Sequence, residues 1–316
     1  MIINTLAAMA AGYVLSMVFG TPRKFRAQDI VSRIAAALAP KISAKYQDNE
    51  GGRRTAGIVF LLSLIAVTVL PVLIVLILLY CFIPALALVL DALICWSVLD
   101  IKGVTTASTG VARAMRGKNY AKAQRIASDL SRTDCSELDE KGLVRAAVQG
   151  VADRTVDSAA APMLCMFLLS AAGGVFFTAA DCAAEIADES EDFTPAEKLR
   201  RALCFIPGKF AYLMMLVDAL FLKLNTRAAE RVMKSDIKCA RSCFAGCRAV
   251  MAGIMGISLL PEEVYSEQFL RTYTIGEQLK DPEPADITLA NSMLQGTAFI
   301  MMMMVFIVKL TIGVWF

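Results

Sequence analysis

The chain has 316 residues, 57% of them hydrophobic, with a mean hydropathy of +0.58; an average soluble domain is roughly 45–50% apolar, and a water-soluble core does not absorb the excess. A net charge of +3, spread over 32 basic and 29 acidic residues, is too small and dispersed for a nucleic-acid surface. The absence of histidine excludes imidazole-based metal, triad and proton-shuttle chemistry.

Residues 2–20 form the first apolar segment. No basic residue precedes it, and Arg23, Lys24 and Arg26 follow it, the reverse of a secretory leader, so an uncleaved anchor is expected. Residues 55–90 carry no charged side chain, nearly twice the ~20 residues that one helix needs to cross hydrocarbon. The break falls at Cys81-Phe82-Ile83-Pro84, where proline removes a donor and pushes Ile83 out of the helical region. Helices at about 57–80 and 83–99, joined as a tight hairpin, follow from that break. Asp91 lies alone inside the second apolar run, either as a functional group or near enough to the interface to be hydrated.

Residues 101–157 are expected to be helical and amphipathic, with Val111, Met115, Ala123, Ile126 and Leu130 at helical spacing between basic residues. The remaining spans are predicted at 158–178, 203–222 and 295–316; the last holds four methionines at 301–304 and ends on Trp315-Phe316, suited to a membrane interface. Within 203–222, Lys209 and Asp218 are too far apart to pair, and Lys209 is near enough to the end to snorkel. Ahead of that span, the acidic run 188–192 leads into Thr194-Pro195-Ala196-Glu197, which reads as a capping box with proline at the first helical position. Residues 259–288, with Pro261, Pro282 and Pro284, are expected to be irregular and exposed.

The whole reads as an all-α, polytopic integral membrane protein, a single membrane domain over residues 1–316 with about five to six transmembrane helices and amphipathic cytoplasmic helices. Loops 21–54, 101–157 and 223–294 hold eight, ten and nine Lys/Arg, whereas 179–197 holds none and seven acids. If the spans alternate, the three basic loops share one side, the cytoplasmic one, and both termini lie outside. A re-entrant hairpin over 158–178, allowed by Pro162 and Gly173-Gly174, is the alternative to a simple crossing there.

Nine cysteines, four of them in or beside apolar spans, do not suggest a disulfide framework. Cys239, Cys243 and Cys247 recur every four residues on one helix face; they are either metal ligands or small packing residues in a reducing compartment. Neither Gly117-Lys118 nor Gly208-Lys209 completes a phosphate-binding P-loop, so a nucleotide site must be built differently. The densest chemistry lies at 130–162, where Arg132, Asp134, Asp153, Arg154, Thr155 and Asp157 precede an apolar span. Carboxylates beside a guanidinium suit a Mg-nucleotide or carboxylate substrate, the acids holding the metal and the arginine gripping anionic oxygen. A solvated helix end is the plainer reading of the same run.

The run from Arg132 to Pro162 resembles the signature of the CobD/CbiB family of cobalamin biosynthesis, the membrane-bound adenosylcobinamide-phosphate synthases. Further segments agree in order and spacing: Gly20 and Pro22, Asp91 and Gly103 leading into Val111-Ala112-Arg113-Ala114, Ile206-Pro207, Ala245-Gly246, Met251-Ala252-Gly253, Ile275-Gly276 and Pro284-Ala285-Asp286-Ile287. The resemblance implies a ligase that uses ATP and Mg2+ to join the propionate carboxyl of adenosylcobyric acid to aminopropanol or its phosphate. No haem, iron–sulfur cluster or histidine-held metal goes with it. It further implies a corrinoid substrate, a place in the cell (inner) membrane, and other late cobalamin-pathway membrane enzymes as partners. Carried over by position, Asp157, Asp134 and Arg132 are the candidate catalytic residues, and Asp153, Thr155, Pro162 and Gly276 the candidate binding residues, with the metal ligands left unassigned.

Several family positions differ. The family's Gly-Asp-Pro and following His-Pro stand here as Gly20-Thr21-Pro22 without histidine, its central Glu as Gln149 and the following Asn as Arg154, its Asn-Thr-Leu-Asp as Asp181-Cys182-Ala183-Ala184, and its paired aspartates before Ile-Pro as Arg200-Arg201. A non-catalytic relative that binds a corrinoid or a partner protein in the membrane is the alternative these changes leave open.

Overall fold

The computed structural model describes residues 2–22, 24–46, 50–189, 194–236, 242–266 and 269–315. Arg23, Cys239, Phe316, part of the acidic run 188–192 and the capping side chain of Thr194 lie outside the described residues. Along the chain come α1 (Ile2–Val18), α2 (Ala27–Ser43), α3 (Glu50–Phe82), α4 (Pro84–Val98), α5 (Ile101–Arg116), α6 (Tyr120–Ser131) and α7 (Glu140–Thr155). A π turn (Val156–Ala160) leads into α8 (Ala161–Leu169), α9 (Ala171–Glu189), α10 (Thr194–Phe221), α11 (Thr226–Asp236) and α12 (Ala245–Met255). Strands β1 (Glu262–Ser266) and β2 (Phe269–Tyr273) precede the last helix, α13 (Pro284–Trp315).

Among the described residues the architecture is all-α apart from one antiparallel hairpin, in which Glu262 faces Tyr273 and Ser266 faces Phe269. That hairpin occupies part of the segment read as irregular. Its Val264, Tyr265, Phe269, Leu270, Thr272 and Tyr273 favour extended backbone, and the prolines of the segment flank it at 261, 282 and 284 instead of interrupting it.

Among the described residues, four helical stretches are long and apolar enough to cross a membrane: Arg54–Phe82, Pro84–Arg116, Pro195–Phe221 and Pro284–Thr311. Asn4–Val18 and Ala245–Met255 are apolar but shorter. Helix α3, at 33 residues, is about 50 Å long at 1.5 Å per residue, well beyond a ~30 Å hydrocarbon core. Its Leu62, Leu70, Ile74, Ile77 and Phe82 are exposed; water penalises such a surface, and lipid does not. The helix stops where Pro84 dictates, with Ile83 at φ −140°, ψ 78°.

The chain packs as two compact units, each assembled from separate stretches of sequence: 1–102, 157–206 and 302–316 form the first, and 103–156 with 207–301 the second. In the first unit α2, α3 and α9 meet around Val31, Ala35, Phe60, Leu64, Ala179, Cys182 and Ala183. The end of α4 is tied back to the start of the chain: Trp96 Nε1 donates to Gly20 O at 3.0 Å, and Ser16 Oγ to Leu99 O at 2.8 Å.

Residues 158–178 do not form one straight helix. The backbone turns at Ser170, φ 52° and ψ −144°, and α8 and α9 fold back on each other. Gly173 permits the reversal, since a Cβ there would stand 2.1 Å from the Cys165 carbonyl oxygen. Asp91 of α4 holds the turn. Fully buried, it accepts from Ser170 Oγ at 2.9 and 2.8 Å, Ala171 N at 3.1 Å and Tyr80 Oη at 2.9 Å. The sequence reads Asp91 as a functional group or a hydrated interfacial acid; in the fold its oxygens are taken up by donors of the reversal, including the first N–H of α9.

In the second unit α6 packs on α7, α7 on α12 and α11 on α12. Ser108 Oγ donates to Asn291 Oδ1 at 2.7 Å, and Asn291 Nδ2 to Thr109 Oγ1 at 3.3 Å, joining α5 to α13 through a polar contact inside apolar helices.

Candidate functional site

The π turn at Val156–Ala160 sits immediately before Pro162, the second residue of α8. Proline cannot donate to the carbonyl four residues earlier, and its ring crowds that carbonyl, so the helix widens by one residue. Asp157 lies in the widened turn with its side chain 2% exposed. Opposite it, Arg200 and Cys204 occupy successive turns of α10, and Asp181 projects from α9. Arg200 Nη2 donates to Asp157 Oδ2 at 3.2 Å, and Arg200 Nε lies 2.7 Å from Asp181 Oδ1 as a charge contact without hydrogen-bond alignment. Cys204 Sγ donates weakly to Asp157 Oδ1 at 3.8 Å. The first unit thus holds two buried carboxylates bridged by one guanidinium, a pairing that buried charge requires.

Magnesium, which the family resemblance implies, is commonly held by one or two carboxylates together with substrate phosphates. Asp157 and Asp181 are two such carboxylates, yet the cation between them is Arg200. Among the described residues no group of three or more Cys, Asp or Glu could hold a metal ion. The residues present therefore do not fit a protein-held divalent cation at this pair.

In the second unit Asp153 of α7 meets Arg248 of α12 in a two-pronged contact, Nε to Oδ1 at 2.5 Å and Nη2 to Oδ2 at 2.7 Å. The guanidinium stands 5.9 Å from the centre of the Phe244 ring. Burial, with Asp153 beside it, pushes the neighbouring Cys247 thiol up. Gln149, also buried, accepts from Leu260 N at 3.1 Å, which ties α7 to the segment ahead of the hairpin.

The other sequence candidates take plainer positions. Thr155 Oγ1 donates to Val151 O at 2.8 Å, inside its own helix. Gly276, at φ +93°, has no room for a Cβ, which would meet Ile257 O at 2.6 Å and Ala252 Cβ at 2.7 Å, so a backbone turn requires it. Arg132 is exposed at the C-terminal end of α6 in the left-handed region, φ 56°. Asp134, exposed two residues on, accepts from Ser136 N at 2.9 Å, and that bond holds its carboxyl below the usual range.

The structure brings Asp157 together with Asp181 and Arg200, and Asp153 with Arg248. Sequence reasoning named Asp157 and Asp153 but neither of their arginines as site residues. The signal for Arg200 was the charge reversal in Arg200-Arg201, since an arginine replacing an acid near other acids is a pairing partner in waiting. Arg248 gave no signal, because nothing in sequence spacing relates positions 95 residues apart.

The CobD/Cbib protein family matches residues 9–294. A cobalamin biosynthesis protein CobD of Clostridium perfringens is 23% identical over 232 residues, 72% of this chain and 74% of that protein. The proteins of the same description from Streptococcus sanguinis and Geobacter metallireducens are 28% identical over 172 residues and 29% over 219, covering 51% and 65% of this chain and 53% and 65% of their own lengths. The chain thus spans between about half and three quarters of the length of these curated relatives. No solved structure matches it. Because the family match runs from within α1 to within α13, carrying both arginine–aspartate centres with it, the chain belongs to the CobD/Cbib protein family.

Proposed function

We propose that this chain is a membrane enzyme of cobalamin biosynthesis that forms the amide between the propionate carboxyl of adenosylcobyric acid and aminopropanol or aminopropanol phosphate. The observation that carries the reading is the family match over residues 9–294, in a chain whose described residues include four helices suited to lipid. When bound, ATP supplies the phosphoryl group that turns the substrate carboxylate into an acyl phosphate, with ADP released. Attack of the amine on the acyl carbon then expels inorganic phosphate, the amine losing one proton. A site shielded from water protects the activated acyl group until the amine arrives.

The candidate residues fall in two groups. In the first unit Asp157, with Pro162 setting its widened turn, anchors Arg200 against Asp181. In the second, exposed Arg132 offers a guanidinium to anionic oxygen, exposed Asp134 offers an ionised carboxylate, and Asp153, Thr155 and Gly276 shape the backbone and helix that carry them. No step runs through a metal held by Asp157 and Asp181. The corrinoid is the substrate in this reading, and other membrane enzymes of the late cobalamin pathway are its proposed partners.

The cell membrane is the location the family resemblance implies, and the Lys/Arg bias supports loops 21–54, 101–157 and 223–294 on the cytoplasmic side with residues 1 and 316 outside. That arrangement requires the α8–α9 pair and α10 together to cross an even number of times.

The test is complementation of a strain that lacks its own synthase, paired with purified protein supplied with adenosylcobyric acid, aminopropanol phosphate and Mg-ATP. Restored corrinoid synthesis and ATP-dependent amide formation are expected. No growth and no amide, beside a typical member that yields both, overturns the reading.

A further inference from the structure

Two acids placed for a divalent cation already share a cation that the chain supplies. Asp157 comes from the π turn, Asp181 from α9 and Arg200 from α10, so three separate elements converge on one contact. All three side chains are largely buried, at 2%, 6% and 14% exposure. Arginine stays charged at every accessible pH, and its planar fork contacts two carboxylates through different nitrogens. A metal entering here must displace a guanidinium covalently tethered beside both acids and separate it from them. Breaking a buried pair on that scale weakens metal binding roughly 100- to 1,000-fold relative to the same acids without the arginine.

We propose that Arg200 is a built-in substitute for a divalent cation between Asp157 and Asp181, so that this carboxylate pair is closed to metal and any magnesium taking part in the reaction arrives on the nucleotide phosphates. The electrostatic claim rests on the geometry alone; only its last clause rests on the ligase reading. Asp157 and Asp181 are then positioning residues for Arg200 and not metal ligands.

The experiment is titration of the full-length, detergent-purified protein with Mn2+, following the paramagnetic resonance signal of the free ion, for wild type, Asp157→Asn, Arg200→Ala, Arg200→Lys and the double variant Arg200→Ala/Asp157→Asn. Wild type and Asp157→Asn should give the same isotherm. Arg200→Ala should gain one site at least tenfold tighter than any wild-type binding, and the double variant should lose it. Arg200→Lys, which keeps a cation, should match wild type.

A wild-type site abolished by Asp157→Asn overturns the proposal, as does a folded Arg200→Ala protein that gains no site. If Arg200→Ala does not fold, the comparison of wild type with Asp157→Asn still decides whether the native pair holds metal. Binding is read without turnover, so failure of the ligase reading leaves this result standing, and failure here leaves amide formation to be judged on its own assay.

Discussion

Replacing Asp91 by alanine tests the account of the reversal at Ser170. The carboxylate is fully buried and accepts from the Ser170 hydroxyl, the Ala171 N–H and the Tyr80 hydroxyl. Alanine removes all of these acceptors. The Ser170 hydroxyl and the Ala171 N–H are buried, and each orphaned buried donor costs about 1–3 kcal/mol. Tyr80 is half-buried and can reorient towards solvent or headgroups. Against this stands the relief of desolvating a carboxylate, which offsets part of the loss. The net expectation is about 3 kcal/mol of destabilisation. Asparagine keeps one acceptor oxygen but turns an NH2 group towards donors, so about 1–2 kcal/mol is expected. Unfolding in mixed dodecyl maltoside and dodecyl sulfate micelles, followed by helical circular dichroism, gives the magnitude. Peptide-resolved hydrogen exchange gives the location, with faster exchange across residues 163–175. An alanine variant as stable as wild type, or one that is weaker without faster exchange in that stretch, refutes the assignment.

Gly173→Ala and Gly174→Ala should separate clearly, although both add one methyl group to the same turn. At Gly173 the new Cβ meets the Cys165 backbone oxygen at 2.1 Å, whereas at Gly174 it meets Met166 Cε, the far end of an unbranched side chain, at 2.8 Å; overpacking against backbone is expected to cost about 1–3 kcal/mol or more, and the second change less than about 1 kcal/mol after the helix-propensity gain of alanine, both read from the same unfolding curves. Cysteines introduced at positions 40, 120 and 235 should resist an impermeant maleimide applied to intact cells and react after lysis; modification from outside at any of the three rejects the shared cytoplasmic face.

Much of the membrane architecture was legible from local chemistry. The uncharged run 55–90 and Pro84 place α3, the break at Ile83 and α4, because the length of an apolar run and the φ restriction of a residue before proline are properties of a few neighbouring residues. Residues 203–221 and 295–315 of the last two apolar blocks fall inside α10 and α13 for the same reason. Pro162 and Gly173-Gly174 marked where a crossing could fail, but charge counting favoured a straight span, since counting cannot register that a buried acid at 91 accepts from the turn at 170.

The site divides along the same line. Residue types at 132–157 announced anionic chemistry and a family resemblance that the match over residues 9–294 bears out. Which cation each acid meets was settled only by folding. Asp157 and Arg200 are 43 positions apart, and Asp153 and Arg248 are 95 apart. Burial makes these pairings obligatory, because an unpaired charge in a low-dielectric interior is unaffordable, whereas sequence carries only the charges and not the distances between them. Hydropathy along the chain therefore determined that this protein lives in lipid, and tertiary packing alone decided that Asp157 is answered by Arg200, Asp153 by Arg248 and Asp91 by the donors of the turn at 170.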